Sequence, residues 1–327
     1  MHRIRKAILP AAIAAAALLV LTGCGASRNA SETAASSGSS ADVSSDAASA
    51  AASDASGSAA TASVSAETGF SADENIESYA TTYADEESVV TVSSSGKGTL
   101  KVGVRPDVSS WSYYSPDNHQ FYGMEVDLAK QIAGDLGYAK VNFKAVVPTT
   151  REQKLSSGEV DCIIACYSIT AERQKLFDFT PAYYTAHLEV VVEKSTLFTQ
   201  LSDLPGNNIG IISGTDTQDL LMQKMSSLNL LSKDDLKGTV FTQFDTYEEA
   251  TNMLETDEID ALCVDSAIAQ KYLKNAVDTI TVMSDYVSDE PYGIASVKGS
   301  ELSGRLAEEV TRLTKDGTID SLITAWK

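Results

Sequence analysis

The chain has few cysteines, few histidines and few basic residues for its 327 positions. Lysine and arginine together number 25 against 45 aspartates and glutamates, which gives a formal net charge of −20 at pH 7. Because nucleic-acid binding needs a basic surface, this excess of acid predicts that the protein has no nucleic-acid partner.

The scarcity of cysteine and histidine also argues against a metal centre. Cys162 and Cys166 lie four residues apart in a run typical of a strand, roughly 13 Å along it, which is too far for a disulfide. A zinc site needs clustered ligands, but the three histidines are scattered along the chain: His2, His119 and His187. We therefore predict no metal, no cofactor and three buried free thiols, the third being that of Cys263.

One long hydrophobic run stands near the start of the chain. Three basic residues within the first six precede an apolar stretch at 7–21, which is shorter than a membrane-spanning helix, and small residues then lead to Cys24. This pattern resembles a bacterial lipoprotein signal, which implies that residues 1–23 are removed and that Cys24 carries lipid. Acyl chains there would hold an extracytoplasmic protein on the cell membrane. The alternative is an ordinary signal peptide with an incidental cysteine.

Residues 24–96 are dominated by alanine, serine, threonine and glycine. A segment with so few large apolar residues buries too little surface to offset its loss of conformational entropy, so we predict a disordered tether. Acidic residues become frequent toward its end and should extend it by mutual repulsion. The rest of the chain is long enough for a sizeable core or two small lobes.

The stretch at 158–184 carries the first functional signal. Residues 160–165 form a short apolar run typical of a buried strand, and a helix start follows, with a threonine N-cap and an acid in the first turn. Arg173 would therefore lie at the edge where open α/β sheets bind small ligands. Its planar guanidinium suits a carboxylate. The alternative is a solvated arginine that pairs with Glu172 or Asp178.

A similar pattern returns about a hundred residues later. The run EIDALCV at 258–264 matches EVDCIIA at 159–165, and each follows a predicted short helix. Two units of one pattern suggest two similar α/β lobes that face each other; the alternative is a chance match. A cleft between two lobes is the default position for a small-molecule site.

Seven short motifs occur in order along the second part of the chain: LKVGV at 100–104, GMEVDL at 123–128, GEVD at 158–161, SITAER at 168–173, FTPAYY at 179–184, SGT at 213–215 and YG at 292–293. In this order they resemble the polar-amino-acid solute-binding proteins of bacterial ABC importers. The resemblance implies a periplasmic-binding-protein-like α/β fold of type II, in which a double hinge joins two lobes around a ligand cleft. It implies that lobe 1 begins with residues 97–186, that lobe 2 spans 187–286, and that 287–327 complete lobe 1.

The resemblance also implies roles for residues of the cleft. Arg173 matches the family's arginine for the ligand α-carboxylate, with Ser168 beside it. Thr215 and Thr217 stand at the start of a helix in the other lobe, where the helix dipole favours an anion. Asp265 matches the acid that pairs with the α-ammonium group. A ligand held from both lobes would close the cleft.

Two further arginines set the expected specificity. Arg105 stands where family members that bind basic amino acids often carry an acid, and Arg151 stands where many members carry an apolar residue. Members that bind glutamate or aspartate resemble this chain at both positions. Cations gathered in a partly dry cleft repel each other unless an anion joins them, so we predict an acidic ligand that requires Arg105, Arg151 and Arg173 together. Alternatives are that Arg151 is a surface cation near Glu152, and that the ligand is cystine or another polar amino acid.

Two other functional classes use this fold. A dehydratase-like enzyme would need a placed acid–base pair, and the one histidine near the expected cleft, His187, falls at a predicted hinge. A ligand-sensing module would report through a separate membrane partner. We therefore predict a monomeric binding protein, not an enzyme, that delivers its amino acid to the membrane permease of an ABC importer.

Overall fold

The computed structural model describes residues 82–232, 238–275 and 278–326. The strands are β1 Glu87–Thr91, β2 Thr99–Val104, β3 Asp107–Val108, β4 Ser112–Ser115, β5 Gln120–Tyr122, β6 Lys140–Ala145, β7 Cys162–Ile163, β8 Phe177–Phe179, β9 Tyr184–Glu193, β10 Asn208–Ile212, β11 Val240–Phe244, β12 Ala261–Asp265, β13 Ile280–Val282, β14 Ser288–Tyr292 and β15 Ala295–Val297. The helices are α1 Met124–Asp135, α2 Arg151–Ser156, α3 Ala171–Leu176, α4 Thr217–Ser227, α5 Tyr247–Glu255, α6 Ser266–Asn275, α7 Glu301–Lys315 and α8 Thr318–Trp326.

The first sheet, in lobe 1, has the strand order β1-β6-β2-β7-β15-β8. β2 runs parallel to β6 and β7, whereas β15 is antiparallel to both of its neighbours. Helix α1 packs on this sheet through Met124, Leu128 and Ile132, which are fully buried. The four-residue spacing of these apolar side chains predicts such a buried face.

The second sheet, in lobe 2, has the order β11-β10-β12-β9-β13, and β14 also pairs with β9. β10 is parallel to both β11 and β12, so the carboxyl ends of these strands meet at one edge. Helices α4, α5 and α6 pack against this sheet. A small third sheet, β3-β4-β5, belongs to the region between β2 and α1.

The chain passes between the two large sheets along two adjacent strands. β9 and β14 are antiparallel, with Tyr184 opposite Tyr292 and Leu188 opposite Ser288. After β14 the chain returns to the first sheet as β15, and α7 and α8 follow. Of the crossings that the resemblance predicts, 185–188 lies within β9, and 285–289 covers the three residues before β14 and its first two residues.

The folded region begins earlier than the sequence predicts. The tether was expected to run to residue 96, but β1 pairs with β6 over five positions, from Glu87 opposite Lys144 to Thr91 opposite Lys140. This part of the prediction is wrong, because overall composition concealed a short run of β-branched residues that favours a strand. The strand also covers an edge of β6 that would otherwise present unpaired backbone groups. The predicted signal peptide at 1–23, Cys24 and the tether up to residue 81 lie outside the described residues.

A glycine fixes the start of α1. Gly123 has φ of 129°, and a Cβ there would lie 2.2 Å from the carbonyl oxygen of Trp111. Any other residue would collide with that backbone.

The thiols of Cys162, Cys166 and Cys263 are buried and free. Within the described ranges, every helix is too short or too polar to cross a membrane.

Candidate ligand-binding site

One cavity between the lobes collects all seven residues that the sequence predicts for the ligand. They are Arg105, Arg151, Ser168 and Arg173 from lobe 1 and Thr215, Thr217 and Asp265 from lobe 2. The topology explains the convergence. Six of them lie at or just after the carboxyl end of a strand, or in the first turn of a helix, and open α/β folds bind ligands at that edge. Ser168 lies between β7 and α3 and forms an isolated β-bridge with Tyr292.

The two lobes are drawn together around this cavity. Its volume is about 20 Å3, which suits one water molecule rather than an amino acid. On the rim, Gly214 of lobe 2 has φ of 75°, and a Cβ there would lie 2.9 Å from the backbone of Pro148 in lobe 1. The structure is therefore a closed arrangement, and the lobes must separate to admit a solute.

Arg173 is held by groups from both lobes. Thr170 is the N-cap of its helix, α3, and the Thr170 side chain accepts a hydrogen bond from the Arg173 amide at 3.3 Å. The guanidinium Nη1 donates to the carbonyl oxygen of Ser168 at 3.0 Å, and Nη2 donates to Oδ1 of Asp216 in lobe 2 at 3.3 Å. Arg173 is buried, so this charge-assisted contact couples closure of the lobes to the arginine.

Of the three arginines that line the cavity, Arg151 has the fewest partners among the described residues. Its side chain is buried, and its guanidinium carbon lies 4.0 Å from the centre of the Tyr167 ring. Among the described residues, Nε finds no hydrogen-bond partner. Burial, followed by the charge of Arg173, lowers the pKa of Arg151 to about 10. An anion in the cavity would offset both the cost of burying this charge and its repulsion by Arg173.

Arg105 lines the same cavity but has a partner within the protein. Its Nε donates to Oδ1 of Asp107 at 2.7 Å, and its Nη2 donates to Oδ2 at 2.6 Å. Burial by itself would lower the pKa of Arg105, but the adjacent Asp107 outweighs it and the pKa is raised. One edge of the guanidinium fork is therefore already occupied by a carboxylate.

Two acids, Asp265 and Glu290, also line the cavity. Asp265 accepts a hydrogen bond from the Tyr292 hydroxyl at 2.8 Å, and burial, followed by the charge of Glu290, raises its pKa to about 7. Glu290 also lines the cavity and accepts from the Ser288 hydroxyl at 2.7 Å. Burial raises its pKa as well. An ammonium group between these acids would offset their mutual repulsion.

The lobe 2 threonines face the cavity from the start of α4. The Thr215 hydroxyl lies 2.7 Å from the carbonyl oxygen of Ile212 and 3.0 Å from the hydroxyl of Thr217. Thr217 is buried and opens the helix. Its position at the amino end of a helix favours a negatively charged group.

Four residues of this site were missed from sequence: Asp107, Asp216, Tyr247 and Glu290. Position in the chain gave a usable signal for three of them, since Asp107 follows Arg105 by two residues, Asp216 lies between two predicted threonines, and Glu290 precedes the YG motif. Tyr247 offered none, because its proximity to Arg105, at 5.6 Å from ring centre to guanidinium carbon, depends on how the lobes meet. No group of acids, histidines or cysteines suited to a metal ion occurs in the described part of the chain.

Comparison with known proteins identifies the family of this chain. A family described as "Bacterial extracellular solute-binding proteins, family 3" matches residues 100–327. The chain belongs to this family. The match begins at β2 and therefore leaves β1 outside the family's own domain.

Curated relatives share between a quarter and a third of their residues with this chain. The glutamine-binding protein of an ABC transporter in Bacillus subtilis is 28% identical over 228 residues, which cover 68% of this chain and 79% of the relative. The L-cystine-binding protein of Escherichia coli K12 is 28% identical, covering 70% and 83%. The glutamate-binding protein of Corynebacterium glutamicum is 27% identical, covering 69% and 78%.

A solved structure confirms the two-lobed fold. An ancestral arginine-binding protein bound to arginine superimposes with a TM-score of 0.61 at 31% identity, covering 70% of this chain and 98% of that one. The fold class predicted from the motifs is therefore confirmed, as is membership of an extracellular solute-binding family.

Proposed function

We propose that this protein is the substrate-binding component of an amino-acid ABC importer and that its ligand is an acidic amino acid, glutamate or aspartate. The observation that carries this proposal is Arg151, a buried cation next to Arg173 with no hydrogen-bond partner for its Nε among the described residues. A ligand with two carboxylates offers one to each arginine. A neutral amino acid would leave Arg151 without a counter-charge in a dry site.

The α-carboxylate of the ligand is assigned to Arg173. Its guanidinium bridges lobe 1 and lobe 2 through Ser168 and Asp216, so a carboxylate placed there would contact both lobes. The hydroxyls of Thr215 and Thr217 lie at the same cavity and supply neutral donors at a helix start.

The α-ammonium group is assigned to Asp265 together with Glu290. Burial raises the pKa of both carboxyls, and the charge of Glu290 raises that of Asp265 further. A primary ammonium has three donors, and two carboxylates can accept from it at once. Glu290 thereby joins the set of ligand residues that the sequence suggested.

The side-chain carboxylate of the ligand is assigned to Arg151. Arg105 has a smaller part than the sequence suggested, because Asp107 already balances its charge. It contributes a polar wall rather than a second free cation. Binding from two lobes makes the ligand the bridge that favours closure, and the closed form is the one proposed to meet the permease.

Attachment to the membrane completes the proposal. The leader at 1–23 would direct export, and lipid on Cys24 would keep a monomeric domain near its permease. Members of this family are extracellular, which supports an extracytoplasmic position. The assigned groups pair with charges of a ligand rather than activate a bond, so we propose a binding protein rather than an enzyme.

The function is tested by a ligand panel on a chain that starts at residue 25 and so keeps β1. Thermal unfolding is recorded with each of the twenty amino acids and with cystine, and the positives are measured by calorimetry. A ligand at a thousand times its Kd stabilises the folded state by about 4 kcal/mol. Glutamate or aspartate should give the largest rise in melting temperature. The acidic assignment fails if lysine, arginine or apolar amino acids stabilise the protein and acidic ones do not.

L-cystine is the second candidate. Two cations, Arg151 and Arg173, and two acids, Asp265 and Glu290, also match a ligand with two carboxylates and two ammonium groups. A cystine-binding relative supports this option. In the panel, a larger shift with cystine than with glutamate selects it over the acidic amino acids.

A further inference from the structure

A segment outside the family domain is built into lobe 1. Residues 82–91, named here the N-terminal support, precede the family match that begins at residue 100. Beyond the pairing of β1 with β6, the carbonyl oxygen of Glu86 accepts from the amide of Ala145 at 2.8 Å. The side chain of Glu86 accepts from the Tyr114 hydroxyl at 2.8 Å, and the ring of Tyr83 lies 5.1 Å from that of Tyr114. Backbone and side chains together fix the support in place.

Lys154 joins this support to helix α2. Its Nζ donates to the carbonyl oxygen of Ala84 at 3.2 Å and to that of Ala145 at 3.1 Å. It also lies 3.6 Å from a carboxylate oxygen of Glu159. The Lys154 side chain is largely buried, with 14% of its surface exposed. These contacts connect α2 to the support and to the end of β6 at once.

Arg151 stands one turn before Lys154 on the same face of α2, since residues three apart are neighbours on a helix. The helix has only six residues, and Thr150 at its start makes no capping hydrogen bond to it. A helix so short is not stable by itself. The guanidinium of Arg151 is held by contact with the Tyr167 ring and has little else to fix it. Its position in the cavity therefore depends on what holds α2.

We propose that the N-terminal support, acting through Lys154, positions Arg151 for the side-chain carboxylate of the ligand. Lys154 and the support are positioning elements and do not touch the ligand. Ala84 reaches the rim of the cleft, where it lines a cavity together with Thr149, Thr150 and Ser213. This inference rests on the proposed function, because it assumes that Arg151 meets a ligand carboxylate.

The test uses the full chain with Lys154→Met, which keeps the apolar stem and removes the ammonium. Kd values for glutamate and glutamine are measured by calorimetry. Small displacements of a positioning group can cost up to about a hundredfold, so we expect glutamate to weaken by about 5- to 20-fold and glutamine by less than about twofold. Lys130→Met is the matched control, since Lys130 pairs with Asp127 on α1. It should leave both Kd values unchanged.

A second variant and a second readout keep the test independent of folding and of ligand identity. Tyr83→Ala combined with Glu86→Gln loosens the support without touching Lys154, and it should shift the glutamate-to-glutamine ratio in the same direction. Hydrogen exchange of the α2 amides in the ligand-free protein should become faster in both variants. Equal weakening of both ligands, or unchanged exchange in α2, overturns the inference. If the wild type binds glutamine and not glutamate, the acidic assignment of the proposed function fails, and exchange in α2 alone decides whether the support holds that helix.

Discussion

Two walls of the cleft each carry a buried arginine, and the two differ in what surrounds the charge. Arg105 and Arg151 are equally buried, at 3% exposure each. Arg105 places two of its donors on Asp107 at hydrogen-bond distance. Arg151 packs on an aromatic ring and leaves its Nε without a partner among the described residues.

Burial alone therefore does not identify a binding arginine. A buried charge costs free energy unless it is paired, and at Arg105 the protein itself supplies the pair. At Arg151 that cost remains, because Nε has no hydrogen-bond partner among the described residues. A site that leaves a cation unpaired favours an anionic ligand, because the ligand then removes a penalty as well as adding a contact. The same contrast implies that removing the partner of Arg105 lowers stability most, whereas removing Arg151 itself lowers ligand affinity most.

The largest effect is expected from Asp107→Asn, which removes the counter-charge of Arg105 and keeps the shape of the side chain. Breaking a buried pair from one side costs about 3 kcal/mol of unfolding free energy, because the other charge stays buried. In a domain of this size the melting temperature should fall by about 6–12 °C, as measured by calorimetric melting without ligand.

Glu172→Gln is the control for that variant. Glu172 pairs with Lys175 on an exposed face, and such pairs contribute less than about 1 kcal/mol. If Asp107→Asn melts within a degree or two of the wild type, Arg105 does not depend on its partner, and the contrast between the two walls is lost.

A smaller effect, of opposite sign on stability, is expected from Arg151→Met. Removing an unpaired buried cation should leave the melting temperature of the ligand-free protein unchanged or raise it. Glutamate binding should weaken by about 30-fold, since a hydrogen-bonded contact between charges contributes about 2 kcal/mol. Glutamine, which carries no side-chain charge, should weaken only slightly. Calorimetric titration of both ligands gives the ratio.

Two outcomes would contradict the role of Arg151. Equal losses for glutamate and glutamine would place its guanidinium outside the side-chain pocket. A melting temperature that falls as far as that of Asp107→Asn would mean that Arg151, like Arg105, is satisfied within the protein.

The sequence predicted which residues line the cavity better than it predicted which side chains pair with each other. Motifs contain Arg173 and Thr215, and the repeated run at 258–264 leads directly to Asp265. A sheet edge gathers such positions whatever the details of packing. The pair between Arg105 and Asp107 depends instead on side-chain geometry in the small sheet that begins at β3. No periodicity or composition encodes that geometry.

The missed strand β1 has a different physical cause. Its residues Glu87–Thr91 sit at the end of a long Ala- and Ser-rich segment, so averaging over the segment hid two valines and a threonine that favour a strand. What finally orders them is the open edge of β6, a tertiary feature. Glu290 precedes the YG motif, which is a signal in the sequence, but it is the pairing of β14 with β9 that brings it to the cleft.

The smallest effect tests Asp265, one of the acids that line the cavity with the two arginines. The pKa of Asp265 is raised to about 7 by burial and then by Glu290, well above its unfolded value. Between about pH 4 and 7 the folded state therefore holds a proton that the unfolded state has lost, and this group's contribution to stability falls as pH rises. A ligand ammonium needs the ionised form, so it binds more tightly as pH rises through that range.

Glutamate keeps its charges between pH 6 and 8, because its side chain titrates near pH 4. Its Kd should therefore rise as pH falls from 8 to 6, by up to about tenfold, while the contribution of Arg151 stays constant. Titrations at pH 6, 7 and 8 in Asp265→Asn should show weak binding with a flat profile over the same range. A wild-type Kd that does not change between pH 8 and 6 would show that Asp265 is already ionised in the closed cleft. The preference for a ligand ammonium group would then need another explanation. The two acids would resemble Arg105, whose charge is paired before the ligand arrives, rather than Arg151.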